Sequence, residues 1–187
     1  MKRSILLAAV LAVFSVSAQA EGYYAKVKAE YRNGLNETAD SSAYGLTLGK
    51  NINKYLDAEV YTRVKLNEDS NKNDTRVEGA VVGKLPVTQS LSVYTRGALG
   101  KKLTGTNESH YWTIEPGIKY AVTNDLSLKA GYRVRYGFDD ENHDDTRMIR
   151  LGADYALDKT SSIGVSFDKS YGDSTYNAVA ASYSIKF

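Results

Sequence analysis

Cysteine is absent, proline and histidine occur twice each, and no apolar run reaches eighteen residues beyond the first twenty positions. Without cysteine there is no disulfide framework and no thiolate-bound metal, which excludes small cystine-rich secreted proteins and cysteine-based zinc modules. The lack of long apolar runs excludes a bundle of membrane-spanning helices. It does not exclude a membrane β-barrel, whose strands alternate apolar and polar residues and so read as hydrophilic on average. No glycine-rich phosphate loop joins a strand to a helix, and His110 and His143 show no metal-ligand spacing, so no cofactor and no metal is expected. What the 187 residues hold in quantity is tyrosine, 15 in all, beside 15 glycines, in a length that predicts one domain.

The first twenty residues read as a secretory signal peptide. Lys2 and Arg3 precede the apolar stretch Ile5 to Val16, and Ala18-Gln19-Ala20 supplies the small residues of a cleavage site before Glu21. A single membrane anchor would need a longer apolar run. Residues 21–187 are then one barrel domain. Lys2 and Arg3 are the only charges removed, so the 24 Lys and Arg and 22 Asp and Glu of the whole chain become 22 of each. A neutral exported chain offers no electrostatic footprint for nucleic acid.

From residue 22 onward the chain alternates with period two in ten segments: 22–32, 43–51, 56–66, 75–84, 91–100, 111–121, 126–136, 146–156, 162–171 and 177–187. Leu126, Leu128, Ala130, Tyr132, Val134 and Tyr136 share one face of their segment, opposite Ser127, Lys129, Gly131, Arg133 and Arg135. Connections after odd segments are mostly long and acidic, including Lys101 to His110 and Gly137 to Asp145. Those after even segments are short. The pattern predicts an all-β fold, a transmembrane antiparallel up-and-down barrel of about ten strands with short periplasmic turns. Lys50, Arg147 and Lys169 are the exceptions on the apolar faces, and all sit at segment ends.

A secreted β-sandwich or lipocalin-like barrel would also alternate. Against it, aromatics gather at the ends of the apolar faces: Tyr31, Tyr44, Trp112, Tyr136 and Tyr171 toward the long loops, and Tyr23, Tyr120, Tyr155, Tyr183 and Phe187 toward the short turns. Two such girdles suit two membrane interfaces. Val179, Ala181, Tyr183, Ile185 and Phe187 run outward to a terminal aromatic, and Tyr183, Ile185 and Phe187 resemble the C-terminal signature that the outer-membrane assembly machinery of Gram-negative bacteria recognises. The expected location is that outer membrane, in contact with its lipid and lipopolysaccharide.

The polar face, turned inward, carries the candidate pore lining. It is basic at Lys26, Lys28, Arg63, Lys65, Arg76, Arg96, Lys129, Arg133, Arg135 and Arg150, and acidic at Glu30, Asp57, Glu59, Glu78, Glu115 and Asp154. Arg32, Lys84, Lys119, Lys186 and Asp168 share the face, giving fourteen bases against seven acids. A track of fixed cations in a narrow lumen selects anions, and arginine forks suit carboxylates. The alternative is a structural or adhesive barrel whose charges pair off inside, for example Glu30 with Lys28 or Asp57 with Arg63. The excess of bases favours the pore.

The segments Trp112 to Tyr120 (WTIEPGIKY) and Thr123 to Tyr136 (TNDLSLKAGYRVRY) resemble the central strands of the monomeric oligogalacturonate-specific porins. That resemblance, over about residues 111–187, implies uptake of small acidic solutes such as acidic oligosaccharides by a monomer. It implies that Lys129, Arg133, Arg135 and Arg150 belong to a basic track. The family has twelve strands where this chain reads ten. No catalytic residue is expected: Ser109 and His110 are adjacent in sequence, which is not a triad. Intact-mass measurement of the exported protein should give a chain beginning at Glu21; retention of residues 1–20 would turn the signal into an anchor.

Overall fold

The computed structural model describes residues 22–34, 40–67, 73–105, 107–138 and 145–187; the expected signal segment lies outside the described residues. Every regular element among them is a strand: β1 (Tyr23–Gly34), β2 (Ser41–Asn53), β3 (Leu56–Asn67), β4 (Asp74–Pro86), β5 (Leu91–Thr104), β6 (Asn107–Ala121), β7 (Leu126–Gly137), β8 (Thr146–Ala156), β9 (Ser161–Gly172) and β10 (Tyr176–Lys186). Each strand pairs antiparallel with its sequence neighbours, and β1 closes on β10. Closure leaves no sheet edge, so the backbone hydrogen bonds are satisfied within the ring, as lipid requires. The seam runs to the C-terminus, where the Phe187 N–H donates to the Tyr23 carbonyl at 2.9 Å and a Phe187 carboxyl-terminal oxygen accepts from the Gly22 N–H at 3.0 Å.

The alternation seen in the sequence is the alternation of burial. Leu99, Val165 and Val179 are more than three-fifths exposed on the outside, whereas Glu30, Asp57, Glu78, Glu115 and Asp168 are buried. This inverts a soluble protein, and lipid is the medium that makes it stable. The three outward charges expected from the alternation lie beside girdle tyrosines. Lys50 Nζ sits 4.7 Å above the Tyr23 ring, Lys169 Nζ 5.5 Å above the Tyr171 ring, and Arg147 is the cross-strand partner of Tyr171. Trp112 stacks obliquely on Tyr136 at 5.2 Å, while Tyr31, Tyr44, Tyr120 and Tyr155 are exposed. Tyr183 is half-buried, and Tyr55 and Phe138 add exposed rings that the sequence reading left out.

The connection expected over Lys101 to His110 is not a long loop. β5 and β6 extend through it, pairing Leu103 with Glu108 and Thr104 with Asn107. Gly105, at φ 62°, supplies the left-handed residue of the turn. Polarity on both faces marks strand that has left the membrane, and it does not stop the ladder. Tyr176, expected in a connection, is likewise the first residue of β10 and is buried.

Three short turns repeat one device. In Val87-Thr88-Gln89-Ser90 and Val122-Thr123-Asn124-Asp125 the threonine hydroxyl accepts from the backbone N–H groups two and three residues on, at 3.0–3.2 Å. In Leu157-Asp158-Lys159-Thr160 the Asp158 carboxylate accepts from Thr160 and Ser161, both at 2.7 Å. Such side-chain caps replace the ladder bonds missing in a turn. Hydrogen bonds from the Ser161 and Thr160 hydroxyls, with those backbone donors, hold the Asp158 carboxyl below the usual carboxylate range. Its folded pKa is depressed. The stabilisation is therefore complete above the ordinary value of 3.8 and is lost as pH falls through the lower folded value. Replacing Asp158 by threonine, which copies the other two turns, should leave stability at pH 7 nearly unchanged and flatten the dependence of unfolding free energy on pH below about 4. An unchanged slope would remove Asp158 from the acid response.

Candidate functional site

The inward faces put the polar side chains into one ring-shaped network. Glu30 on β1 takes Lys28 at 2.8 Å and, on its other side, Arg32. Lys28 also reaches Asp168 on β9 at 3.4 Å, and Asp168 receives two nitrogens of Arg150 from β8, each at 2.8 Å. Arg150 reaches past β7 to Glu115 on β6 at 3.3 Å, where Arg133 is the second partner at 2.6 Å. On the other half, Arg96 of β5 bridges Glu59 of β3 at 3.1 Å and Glu78 of β4 at 2.8 Å. Glu78 also takes the Tyr111 hydroxyl at 3.0 Å and lies 3.9 Å from Arg135 of β7. The Tyr24 hydroxyl donates to Glu59 at 2.6 Å and returns the network to β1. β2 and β10 turn small residues inward here, among them Ala43, Gly45, Ala178 and Ala180.

Interior tyrosines explain interior glycines. Tyr24 lies opposite Gly49, Tyr94 opposite Gly117, and Tyr111 opposite Gly100. A Cβ on any of these glycines would strike the ring, and one on Gly45 would lie 2.9 Å from the ring of Tyr61. Each tyrosine therefore lies along the wall over bare backbone, and Tyr24 and Tyr111 deliver their hydroxyls to the acids of the network. The signal was readable as inward tyrosines in a chain with inward glycines, but it needs the strand register to pair them.

The pairing expected between Asp57 and Arg63 does not form. The two stand six residues apart on β3, about 20 Å along the strand. Asp57 instead accepts from Lys84 on β4 and from Asn51, both at 2.7 Å. The expected pair of Glu30 and Lys28 is present. Lys129 pairs with Asp154, and Lys65 lies 4.0 Å from Asp74. Lys102, which the sequence placed in a loop, is an inward residue opposite Ser109 and Arg76.

The seven inward acids expected from the sequence, and Asp74 with them, are thus engaged by cations, whereas no acid among the described residues lies within 4 Å of Lys26, Arg63, Lys119 or Lys186. The character changes along the axis. The Lys84 and Lys129 side chains at the short-turn mouth are 35% exposed, against 12% for Arg96 and Arg133 in the middle, so a wet lysine mouth leads to a closely paired arginine belt. Three rungs set like charges face to face: Lys119 opposite Lys129 at that mouth, and, toward the long loops, Arg63 opposite Arg76 and Arg76 opposite Lys102. Ser109 is buried on the inward face and His110 is exposed on the outward one, so consecutive strand residues diverge and form no catalytic pair. His143 and the acidic run 139–141 lie outside the described residues.

A closed ten-stranded barrel with an apolar outside and an ionic inside defines a transmembrane barrel of the outer-membrane type. The chain belongs to the outer membrane protein beta-barrel domain family, whose pattern it matches over residues 6–156, and its place is the outer membrane of a Gram-negative bacterium. It is similar in structure to the NanC porin, with a TM-score of 0.60 at 11% identity, covering 87% of this chain and 100% of that one. The KdgM porin in complex with disordered oligogalacturonate gives 0.52 at 13% identity over 88% and 99%. The beta domain of the Bordetella autotransporter BrkA gives 0.56 at 12% identity over 90% and 100%. These identities establish a shared fold alone. No curated protein matches the chain.

Cutting one acid from the belt tests the network. Glu115→Gln leaves Arg133 without a charge partner in a buried site and should lower the unfolding free energy by about 3 kcal/mol in detergent-micelle denaturation. A loss below about 1 kcal/mol would mean the belt is hydrated rather than paired.

Proposed function

We propose that the barrel is a narrow, anion-preferring channel of low conductance for small acidic solutes. The observation that carries this reading is the surplus of cations: every inward acid is matched, while Lys26, Arg63, Lys119 and Lys186 are left without an acid partner among the described residues. Fixed positive charge at both ends of a confined lumen raises the local concentration of anions and repels cations. The fold shared with the NanC and KdgM porins agrees with it. The solute class would be a small carboxylate-bearing molecule such as an acidic oligosaccharide, held by forked arginines. No step of this requires catalysis, and the barrel would act as a monomer among lipid and lipopolysaccharide after insertion by the outer-membrane assembly machinery, with Tyr183, Ile185 and Phe187 as its recognition signature.

One observation favours a second reading, a non-conducting structural or adhesive barrel. Ion pairs such as Arg150 to Glu115 and Arg96 to Glu59 reach past an intervening strand and narrow the lumen. The autotransporter domain of similar fold fits that reading as well. Planar-bilayer recording of the refolded barrel separates the two. Small steps are expected whose reversal potential in a salt gradient shows anion preference, weakened in the double variant Lys26→Gln with Lys119→Gln. A folded barrel that passes no current would leave the structural reading standing.

A further inference from the structure

A charge on a wall that faces lipid is costly, and the outward faces of the described strands carry few. Lys101 is answered by Glu108 at 2.6 Å, and Lys50 is a single cation at the short-turn end, over the Tyr23 ring. The other two outward cations of the strands, Arg147 on β8 and Lys169 on β9, lie together at the long-loop end. Both are exposed, and no acid among the described residues lies within 4 Å of either.

The register places them on one patch. Arg147 stands opposite Tyr171 and Lys169 opposite Ile149, so the two cations hold diagonal positions of the same face, with Cβ atoms about 7 Å apart. Side chains of that length can converge on one group from there. Tyr171 stands beside both, 40% exposed, with Lys169 Nζ 5.5 Å above its ring, and Asn177 of β10 is the cross-strand partner of Lys169. One step nearer the bilayer centre the same strands turn exposed Ile149, Phe167 and Val179 outward. The patch is thus cationic and hydrogen-bonding at the level of the aromatic girdle and apolar directly beneath.

We propose that this patch is a docking site for the phosphorylated glycolipid of the outer leaflet, the lipid A part of lipopolysaccharide. In barrels of this type the long loops stand on the outer side, which puts Arg147 and Lys169 at the depth of that leaflet's headgroups. Lipid A joins phosphates to a sugar unit above several acyl chains. A phosphate between the guanidinium and the ammonium relieves their mutual repulsion and forms charge-assisted hydrogen bonds to both. The Tyr171 hydroxyl and the Asn177 amide are suited to the sugar, and the three apolar side chains to the acyl chains. The proposal rests on the outer-membrane location and not on conduction, so it stands or falls apart from the channel reading.

The test is native mass spectrometry and thermal unfolding of the full refolded barrel in detergent with EDTA, which removes divalent cations that could bridge the lipid to loop acids. Diphosphoryl lipid A, dephosphorylated lipid A and phosphatidylglycerol are the probes. One diphosphoryl lipid A retained per barrel, with a rise in Tm, is expected, while the other two lipids should bind at least about tenfold more weakly. The double variant Arg147→Gln with Lys169→Gln should lose that same factor, and Lys50→Gln, at the other end of the wall, should keep the native affinity. Lipid A binding unchanged in the double variant would overturn the proposal, as would phosphatidylglycerol binding as well as lipid A, since the patch would then be a general anionic-lipid surface. If the double variant does not fold, the three lipids on the native barrel decide: dephosphorylated lipid A binding as tightly as the diphosphoryl form overturns it.

Discussion

The rest of the structure depends on the closure of β1 onto β10. An open sheet would present unpaired N–H and C=O groups to hydrocarbon, at several kcal/mol for each. The ten strands therefore form a ring or do not cross at all. Once the ring is closed, the inside is too narrow to be left to bulk water and too polar to be filled by aliphatic side chains. The ionic belt is the consequence. Glu30, Asp168, Arg150, Glu115 and Arg133 on one side, and Glu78, Arg96 and Glu59 on the other, neutralise one another, some across neighbouring strands, as Asp168 with Arg150, and some past an intervening strand, as Arg150 with Glu115 and Arg96 with Glu59.

Small residues make that belt possible. The tyrosines at 24, 94 and 111 lie flat because the residue opposite each is glycine, which keeps the rings against the wall. Where β2 and β10 face inward they offer mainly alanine, glycine and serine, so long side chains from other strands have somewhere to extend. The interior is thus graded: bulky forks in the middle, lysines at the short-turn mouth, and arginines toward the other. In a lumen so graded the acids are neutralised by the cations around them.

Much of this was legible in the sequence, because a strand in lipid alternates with a strict period of two. All ten strands, the inward charges and the outward tyrosines follow from that period alone. Where the reading erred, alternation was not the informative property. Lys101 to His110 looked like a loop because both faces are polar, yet the strands continue beyond the membrane. Asp57 and Arg63 share a face, but same-face residues on one strand are separated by the strand's own length, and it is the neighbouring strand that brings Lys84 to Asp57.

By itself the sequence determined the polarity of the barrel: which residues meet lipid, which meet the lumen, and an excess of basic over acidic residues inside. That information is local, since it depends only on whether a residue is odd or even within its strand. Only the tertiary structure decided which charges neutralise which. Register between strands and curvature of the ring bring Arg150 to Glu115 and Arg96 to Glu59, past the strand between them. The same register sets Arg63 against Arg76, and no pattern along one strand can reveal a charge left over on the wall of another.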